Sequence, residues 1–435
     1  QFMVIRLICM GFLFLLLFLA ALTYGVDKKT ALRIDSEIQN HLQEIIKTRR
    51  YLHMNPELSN REFDTSKLVA SKLLSMGLSI QTGIGKTGVV GILRGKSDAT
   101  TIGLRADMDA LPIQEKTGLS YQSLNPGIMH ACGHDIHTAI ALGTALVLNQ
   151  MKDQIKGNIK FIFQPAEEGP PQGEQGGASL MIREGVLENP PVRAVFGLHV
   201  WPEAQVGQIM FSDGPIMAGA DSVTITIKGR SAHGARPQEG IDSIFLAGQA
   251  IVNIQAGLNR FFSPTEPAVV TIGKITGGSR SNILAEKVEM EGTVRTLNKT
   301  SRYNVRQLID KTLKGIVSPF NAEYLFDYRI GTPPLYNHPE LASALKPTLL
   351  NAVGAENVLS LSPQMTAEDF ADYAQVIPGM YFLLGVRSPD KATAAPLHSP
   401  EFNPDERSIS VGIKAMCHLL LDCLEFQDFP QHAPL

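Results

Sequence analysis

Apolar positions along the chain follow two alternating periodicities. The segment 36–54 carries apolar residues at helical spacing and ends before Pro56, and the segment 135–151 carries a second helical stripe, with Asp135 as its candidate N-terminal cap. Short apolar runs are predicted to be strands: TGVVGIL, TIGLRAD, NIKFIF, AVFGLHV and MYFLLGV. Helices that alternate with strands predict an α/β fold in which helices cover an open sheet.

The pattern changes near residue 218, where DSVTITIKG alternates with a period of two. From there to residue 330, the predicted order is strand, helix, strand, strand, helix, strand. That order is typical of a small ferredoxin-like α+β domain. We therefore predict one discontinuous domain over 27–217 and 331–435, with a second domain inserted at 218–330.

The first 26 residues differ from the rest of the chain. Arg6 precedes an uncharged apolar run from Leu7 to Val26, and Thr23 and Gly25 are small enough to permit cleavage near its end. This run predicts an export signal, and its length also allows an uncleaved membrane anchor. The expected location is periplasmic or secreted.

The composition excludes several classes of protein. The 39 basic and 42 acidic residues give a net charge of −3, so the chain has no excess of positive charge for binding nucleic acid. Removal of the export signal leaves an odd number of cysteines, which argues against a disulfide framework. Cys417 and Cys423 fall in a predicted C-terminal helix, where small buried core residues are expected.

Candidate chemistry lies in four places, each predicted to follow directly after a strand, where open α/β sheets place their sites. The motif MHACGHDIH holds His130, Cys132, His134 and His137 within eight residues. Cys132 and His134 lie at the start of a predicted helix, whose positive dipole end favours the thiolate that binds metals. Four soft donors around one glycine predict a metal site.

The other three places supply carboxylates and imidazoles. The motif FIFQPAEEG ends a predicted strand with Glu167 and Glu168. A metal would separate the roles of these adjacent carboxylates, because one can bind it while the other accepts a proton from water. His199 follows an apolar run in AVFGLHVWP, and His398 lies in a loop after the MYFLLGV strand.

Seven ordered motifs resemble those of one enzyme family. They are LRADMDALP, MHACGHD, QPAEEG, FGLHVWP, GRSAHGARP, AEDFADY and LHSPEF. In this order the chain, from about residue 40 to residue 420, resembles the metal-dependent amidohydrolases that include hippurate hydrolases, aminoacylase-like enzymes and plant auxin-conjugate hydrolases. The resemblance implies a di-metal exopeptidase-like catalytic domain with an inserted ferredoxin-like lid and dimerisation domain.

The resemblance also implies the metal ligands and the general base. The residues at the family's ligand positions are Cys132, His134, Glu168, His199 and His398. Glu167 corresponds to the general base, and the family holds two divalent ions with a bridging water. Thiolate and imidazoles suit zinc, whereas carboxylates also allow manganese, so both metals remain open.

Four further residues receive roles from the same resemblance. Asp109 corresponds to an acidic position that orients a ligand, although it could simply cap a strand end. His233 corresponds to a histidine that polarises the substrate carbonyl, often across a dimer interface, so a homodimer is expected. Asn282 and Arg295 are candidate contacts for the polar end of the substrate, since a guanidinium can bind both carboxylate oxygens. A strand-end hydrogen bond or a surface charge is the alternative for His233, Asn282 and Arg295.

The expected activity is hydrolysis of the amide bond of a small-molecule N-acyl amino acid, which releases a carboxylic acid and a free amino acid. A dipeptidase or carboxypeptidase is the alternative enzyme, and it differs in whether the substrate needs a free α-amine. A non-catalytic amino-acid or metal carrier is the alternative outside the enzymes. A carrier would be expected to have lost Glu167 or a ligand, and the sequence retains them all.

Overall fold

A computed structural model of the chain describes residues 25–97 and 100–431. Nearly all of the predicted export segment at 1–26 lies outside these residues. Within them, no helix is both long enough and apolar enough to cross a membrane.

The described chain forms two compact units. The first comprises the described residues up to Asp213 together with Asn337–Leu361 and 377–431, and the second comprises Gly214–Tyr336 and Ser362–Val376. The helices are α1 Lys28–Met54, α2 Phe63–Ser75, α3 His134–Asn149, α4 Gly177–Arg183, α5 Ser243–Phe261, α6 Lys299–Val317, α7 Pro339–Val353, α8 Phe370–Ala374 and α9 Ser408–Leu424. The strands are β1 Ser79–Ile84, β2 Gly88–Arg94, β3 Thr101–Asp107, β4 Asn158–Gln164, β5 Val192–Gln205, β6 Ile209–Phe211, β7 Pro215–Met217, β8 Gly219–Lys228, β9 Ala268–Gly277, β10 Lys287–Thr296, β11 Glu323–Arg329, β12 Leu335–Tyr336, β13 Val358–Ser360 and β14 Gly379–Arg387.

The first unit is built on a mixed eight-stranded sheet. Its strand order is β1-β2-β4-β3-β5-β14-β6-β13, and the four central strands β4, β3, β5 and β14 are parallel. The β3 and β4 side chains are buried along both strands, which explains why their sequences are continuously apolar rather than alternating. Because these strands are parallel, their carboxyl ends lie at one edge of the sheet.

Helix α3 is buried along nearly its whole length, because α1 and α9 pack against it. Cys417 and Cys423 lie in α9 and are fully buried, as predicted. Helix α1 begins eight residues before the predicted start, since the Asp27 carboxylate accepts the backbone N–H groups of Lys29 and Thr30.

Asp135 does not cap α3, and that prediction was wrong. The N-cap is Gly133, whose φ of 88° lies in the left-handed region. A Cβ at this position would lie 2.4 Å from Val200 Cγ2, so both the backbone conformation and the packing require glycine. Asp135 lies in the first turn and its carboxylate contacts Arg49 and His53.

The second unit is an antiparallel sheet of order β11-β8-β10-β9. Helices α5 and α6 pack on the face that presents Val223, Ile225 and Ile227. The predicted α/β class is confirmed, including the strand, helix, strand, strand, helix, strand order of the insert.

The second unit is larger than the insert predicted at 218–330: it also includes 214–217, 331–336 and one distant segment, although every residue from 331 on was predicted to lie in the first domain. Ser362–Val376 belongs to the second unit. The reason is backbone pairing: the Ala218 N–H donates to the carbonyls of Gln364 and Thr366, and the Gln364 N–H donates to Ile216. Such pairing is not visible in the local apolar pattern.

Candidate active site

The candidate ligands converge on the carboxyl edge of the central strands of the first unit. Asp107 ends β3, Glu167 and Glu168 follow β4, and His134 begins α3. His199 lies within β5, as the predicted strand AVFGLHV has it, rather than after the end of its strand, and it is in register with Leu383 of β14. Ligand atoms of three sets lie within 4.8 Å of one another: Cys132 with His134 and His199, Cys132 with Glu168 and His398, and His134 with Glu167 and Glu168.

Cys132 lies between two imidazoles. Its Sγ is 3.3 Å from His199 Nε2 and 3.3 Å from His398 Nε2, and the residue is 6% exposed. Burial and the charges of Glu168 and Glu167 raise the pKa of the Cys132 thiol well above its usual value. The predicted thiolate at the helix start therefore does not arise from the helix dipole alone, and a bound cation would have to stabilise it.

His199 is held as a neutral imidazole with one nitrogen available. Its Nδ1 lies 2.7 Å from the Val200 carbonyl, which can only accept, so Nδ1 carries the proton and Nε2 presents a lone pair toward Cys132. Burial lowers the pKa of His199 well below its usual value.

His134 also has its Nδ1 engaged, in this case by a carboxylate. Its Nδ1 is 3.2 Å from Asp109 Oδ1, whereas its buried Nε2 has no hydrogen-bond partner. Nε2 lies 3.9 Å from Glu167 Oε2 and 3.9 Å from Glu168 Oε1. Burial opposes the charged imidazole, but Asp107 and Asp109 outweigh it and raise the pKa of His134 to about 10. An unpartnered buried nitrogen that faces two carboxylates fits a cation site.

Asp109 also holds the turn that carries the two glutamates. Its Oδ1 accepts the Glu167 N–H at 3.1 Å, and its Oδ2 accepts the Glu168 N–H at 3.0 Å and the Ser59 hydroxyl at 2.7 Å. One buried carboxylate thus fixes both an imidazole and the backbone of two candidate functional residues.

His137, the fourth donor of the motif, has both ring nitrogens engaged. Its Nδ1 contacts Asp107 Oδ1 at 2.6 Å, and its Nε2 accepts the Val200 N–H at 2.9 Å. Asp107 is also paired with Arg105 at 2.6 Å. His137 therefore supports β5 and β3 rather than offering a free lone pair.

His398 forms the open side of the cluster. Its Nε2 is 3.1 Å from Glu168 Oε1, and its side chain is 52% exposed. The hydrogen bond with Glu168 raises the pKa of His398. The backbone of His398 has a φ of 62°, an uncommon conformation for a residue other than glycine.

Comparisons with known proteins agree with this geometry. Residues 103–422 match the model of peptidase family M20/M25/M40. The chain belongs to this family. Membership in the M20/M25/M40 family confirms the resemblance predicted from the seven motifs.

The names of the chain's relatives describe several activities. A Synechocystis protein named "Probable hydrolase" is 41% identical over 383 residues, covering 87% of this chain and 95% of the relative. An N-acetyl-L-cysteine deacetylase of Bacillus subtilis is 39% identical, covering 84% and 85%. A thermostable carboxypeptidase of Saccharolobus solfataricus is 38% identical, covering 88% and 97%. Among solved structures, a dinuclear metal-binding M20 peptidase of Bacillus subtilis is 35% identical with a TM-score of 0.76, covering 89% of this chain and 99% of the other.

The second unit of this M20/M25/M40 chain carries the other three predicted residues. His233 pairs with Ile283 in an isolated bridge, and the Gly234 N–H donates to the Asn282 carbonyl at 2.8 Å. His233 and Asn282 are therefore neighbours, and both are exposed. Arg295 is not near them: it lies at the far end of β10, eight residues beyond Lys287, which corresponds to roughly 27 Å of strand.

Residues that support the ligands were not identified from the sequence. Ser59 and Arg105 contact the carboxylates of Asp109 and Asp107. A further buried acid, Glu62, contacts the backbone before Glu167. These residues lie in the stretches PELSNREF and LRAD, which are distant in sequence from the two glutamates. Only the folding of the sheet brings them to the site.

Proposed function

We propose that the protein hydrolyses the amide bond of N-acyl amino acids, releasing a carboxylic acid and a free amino acid. The chemistry is metal-dependent hydrolysis of a linear amide, consistent with membership in the M20/M25/M40 family. The name of one relative, the N-acetyl-L-cysteine deacetylase of Bacillus subtilis, supports an N-acyl substrate.

One observation carries this proposal. The unpartnered Nε2 of His134 lies 3.9 Å from both Glu167 and Glu168, within a set of thiol, imidazole and carboxylate donors. Such a mixed set suits borderline divalent cations, and it leaves one of two adjacent carboxylates available for proton transfer.

Five side chains would hold two divalent ions, zinc or manganese: Cys132, His134, Glu168, His199 and His398. Two divalent ions held there would supply Lewis-acid polarisation of the attacking water and of the substrate carbonyl. Glu167 accepts a proton from that water as its oxygen bonds to the carbonyl carbon. Glu167 then donates this proton to the amide nitrogen, the carbon–nitrogen bond breaks, and the amine leaves.

Asp109 keeps the proton of His134 on Nδ1 and thus positions a ligand without touching substrate. In the second unit, the His233 imidazole donates to the substrate carbonyl oxygen, where negative charge develops. Asn282 and Arg295 bind the polar end of the substrate. The separation of Arg295 from the other two requires that it contact a different part of the ligand, or a ligand of another copy.

We also propose a homodimer formed through the second unit. Strand β9 is the edge of its sheet, with Val269 and Ile275 exposed, and α5 beside it exposes Phe245 and Val252. An edge strand flanked by apolar side chains suits pairing with a second copy. Light scattering tests this, and V252E with I275K is expected to give the monomer mass.

Export, with a cleaved signal or an anchor at residues 7–26, is proposed from the sequence. Cell fractionation tests this: periplasmic or secreted protein is expected, and cytoplasmic protein would contradict it. Membrane association is expected only if that segment remains uncleaved.

A carboxypeptidase acting on small peptides is the second candidate, supported by the name of the Saccharolobus relative, a thermostable carboxypeptidase. The discriminating experiment measures amino-acid release from N-acetyl, N-benzoyl and indole-acetyl amino acids beside unblocked dipeptides. Metal-dependent cleavage of acylated substrates alone supports the proposal, and cleavage of dipeptides alone overturns it.

Glu167→Gln provides the mechanistic test. It retains the side-chain volume but lowers basicity, so turnover is expected to fall by at least about 100-fold with metal still bound. The matched control is Glu340→Gln, an exposed position on α7 of the same unit, which should keep full turnover. Full turnover by Glu167→Gln would show that the base is wrongly assigned.

A further inference from the structure

Glu62 is a buried carboxylate that the proposed reaction does not use directly. It is 0% exposed. Its Oε1 accepts the backbone N–H of Asn60 at 3.0 Å and that of Ala166 at 2.9 Å, and its Oε2 accepts the Thr87 hydroxyl at 2.6 Å. The contact with Ala166 joins residues that are 104 positions apart in sequence.

The position of Glu62 at the start of α2 suggests a helix cap, but its side chain makes no capping hydrogen bond. It turns instead to the residue that precedes Glu167. Burial and the charge of Asp109 raise the pKa of Glu62 to about 7, so at neutral pH this group opposes folding rather than favouring it. A helix-capping role therefore does not explain it.

The backbone conformation of Ala166 explains why its hydrogen bond with Glu62 matters for the site. Its φ of 55° lies in the left-handed region, and the next two backbone N–H groups, of Glu167 and Glu168, are both accepted by Asp109. Three successive amides are thus held by two buried carboxylates. Consecutive N–H groups around a left-handed residue form a concave site that attracts anions. Here Glu62 and Asp109 accept these N–H groups.

We infer that Glu62 is a positioning residue, which fixes the direction of the Glu167 side chain by holding the Ala166 backbone in its left-handed conformation. This inference rests on the proposed role of Glu167. What Glu62 supplies is hydrogen-bond acceptance by one oxygen. Glutamine can reproduce it, because its carbonyl oxygen can accept both N–H groups while its amide donates to the Thr87 hydroxyl. Leucine cannot.

The test compares Glu62→Gln and Glu62→Leu in the full-length, metal-loaded protein. For Glu62→Leu we expect kcat to fall by about 100-fold, the effect of a misplacement near 1 Å, with KM and metal content within about threefold of the wild type. Glu62→Gln should retain kcat within about threefold. Hydrogen exchange of the 164–169 backbone should be about tenfold faster in Glu62→Leu and unchanged in Glu62→Gln.

Thr348→Val is the matched stability control. Its buried hydroxyl donates to Asp422 at 2.6 Å, so the variant also loses a buried hydrogen bond, but in α7, outside the proposed machinery. It should lose stability while keeping kcat and the exchange of residues 164–169. Equal kcat losses in Thr348→Val and Glu62→Leu would overturn the positioning role, as would wild-type kcat in Glu62→Leu.

Hydrogen exchange of the 164–169 backbone distinguishes a failure of this inference from a failure of the proposed function. An inactive wild type overturns the proposed function, and with it the catalytic meaning of Glu62. Unchanged exchange at 164–169 in Glu62→Leu overturns the hydrogen-bonding role of Glu62, whether or not the wild type is active.

Discussion

His134 and Asp109 are joined by a hydrogen bond of 3.2 Å between Nδ1 and Oδ1, both fully buried. Since a carboxylate can only accept, this bond keeps a proton on Nδ1 and directs Nε2 toward the two glutamates. Burial raises the pKa of Asp109, but the hydrogen bonds from His134 and Ser59 outweigh it and lower the pKa overall. The Asp109 carboxylate therefore stays ionised beside His134.

Asp109→Asn should weaken metal binding. Asp109 accepts from four donors, and asparagine has one oxygen, so at least two donors lose their acceptor. Metal affinity, measured by competition with a chelator, should fall about 10- to 100-fold, the usual effect of losing an outer-shell partner. Asp153→Asn, at an exposed position, should leave affinity unchanged. Equal affinities of the two variants would contradict the role of Asp109.

Cys132→Ser should change metal preference as well as affinity. A thiolate favours zinc over manganese, and a hydroxyl does not, so zinc affinity should fall more than manganese affinity. Measuring both constants in the same buffer checks this. Cys417→Ser is the control, because Cys417 is also buried but lies in α9 away from the donor sets. An equal fall in zinc affinity and manganese affinity in Cys132→Ser would show that the thiol does not contribute to the choice between the two metals.

Arg49→Met should destabilise the protein strongly. Arg49 is 0% exposed, and its Nε lies 2.9 Å from Asp135 Oδ2. The variant therefore leaves the buried Asp135 carboxylate without its guanidinium partner. The free energy of unfolding should fall by about 3–5 kcal/mol in denaturant titrations. Lys67→Met removes an ion pair whose side chains are 77% and 73% exposed and screened by water, and should leave the free energy of unfolding nearly unchanged. Equal losses of unfolding free energy in Arg49→Met and Lys67→Met would contradict the stabilising role of the buried ion pair.

Asp422→Asn should remove part of the pH dependence of stability. Burial raises the pKa of Asp422 to about 6, above that of the unfolded carboxyl. The folded state therefore binds this proton more tightly, and the unfolding free energy falls as pH rises from about 4 to about 6, then stays low. Asparagine has no such proton and can still accept the Thr348 hydroxyl.

Relative to the wild type, Asp422→Asn should gain up to about 3 kcal/mol between pH 4 and pH 7, because each pKa unit corresponds to about 1.4 kcal/mol. Denaturant titrations at the two pH values measure this difference. Asp428→Asn, at an exposed position near the end of the same helix, should show no such change. A constant difference across this pH range would disprove the assignment to Asp422.

The amino-acid sequence by itself determined the elements and the candidate residues. Strand β3 matches the predicted TIGLRAD run and β4 extends the predicted NIKFIF run by one residue, because continuous apolar patterns are properties of short stretches of chain. The motifs around Cys132 and Glu167 were also identified without the structure, since their donors are close in sequence. Family membership follows from these local signals taken in order.

Only the tertiary structure decided which donors have a free lone pair. His137 and His199 look equivalent in sequence, yet His137 is engaged by Asp107 and the Val200 N–H, while His199 directs Nε2 at Cys132. The structure also assigned Ser362–Val376 to the second unit and connected Glu62 with Ala166. These outcomes depend on hydrogen bonds between residues distant in sequence, and the packing of whole strands and helices sets such bonds, which the local periodicity of side chains does not specify.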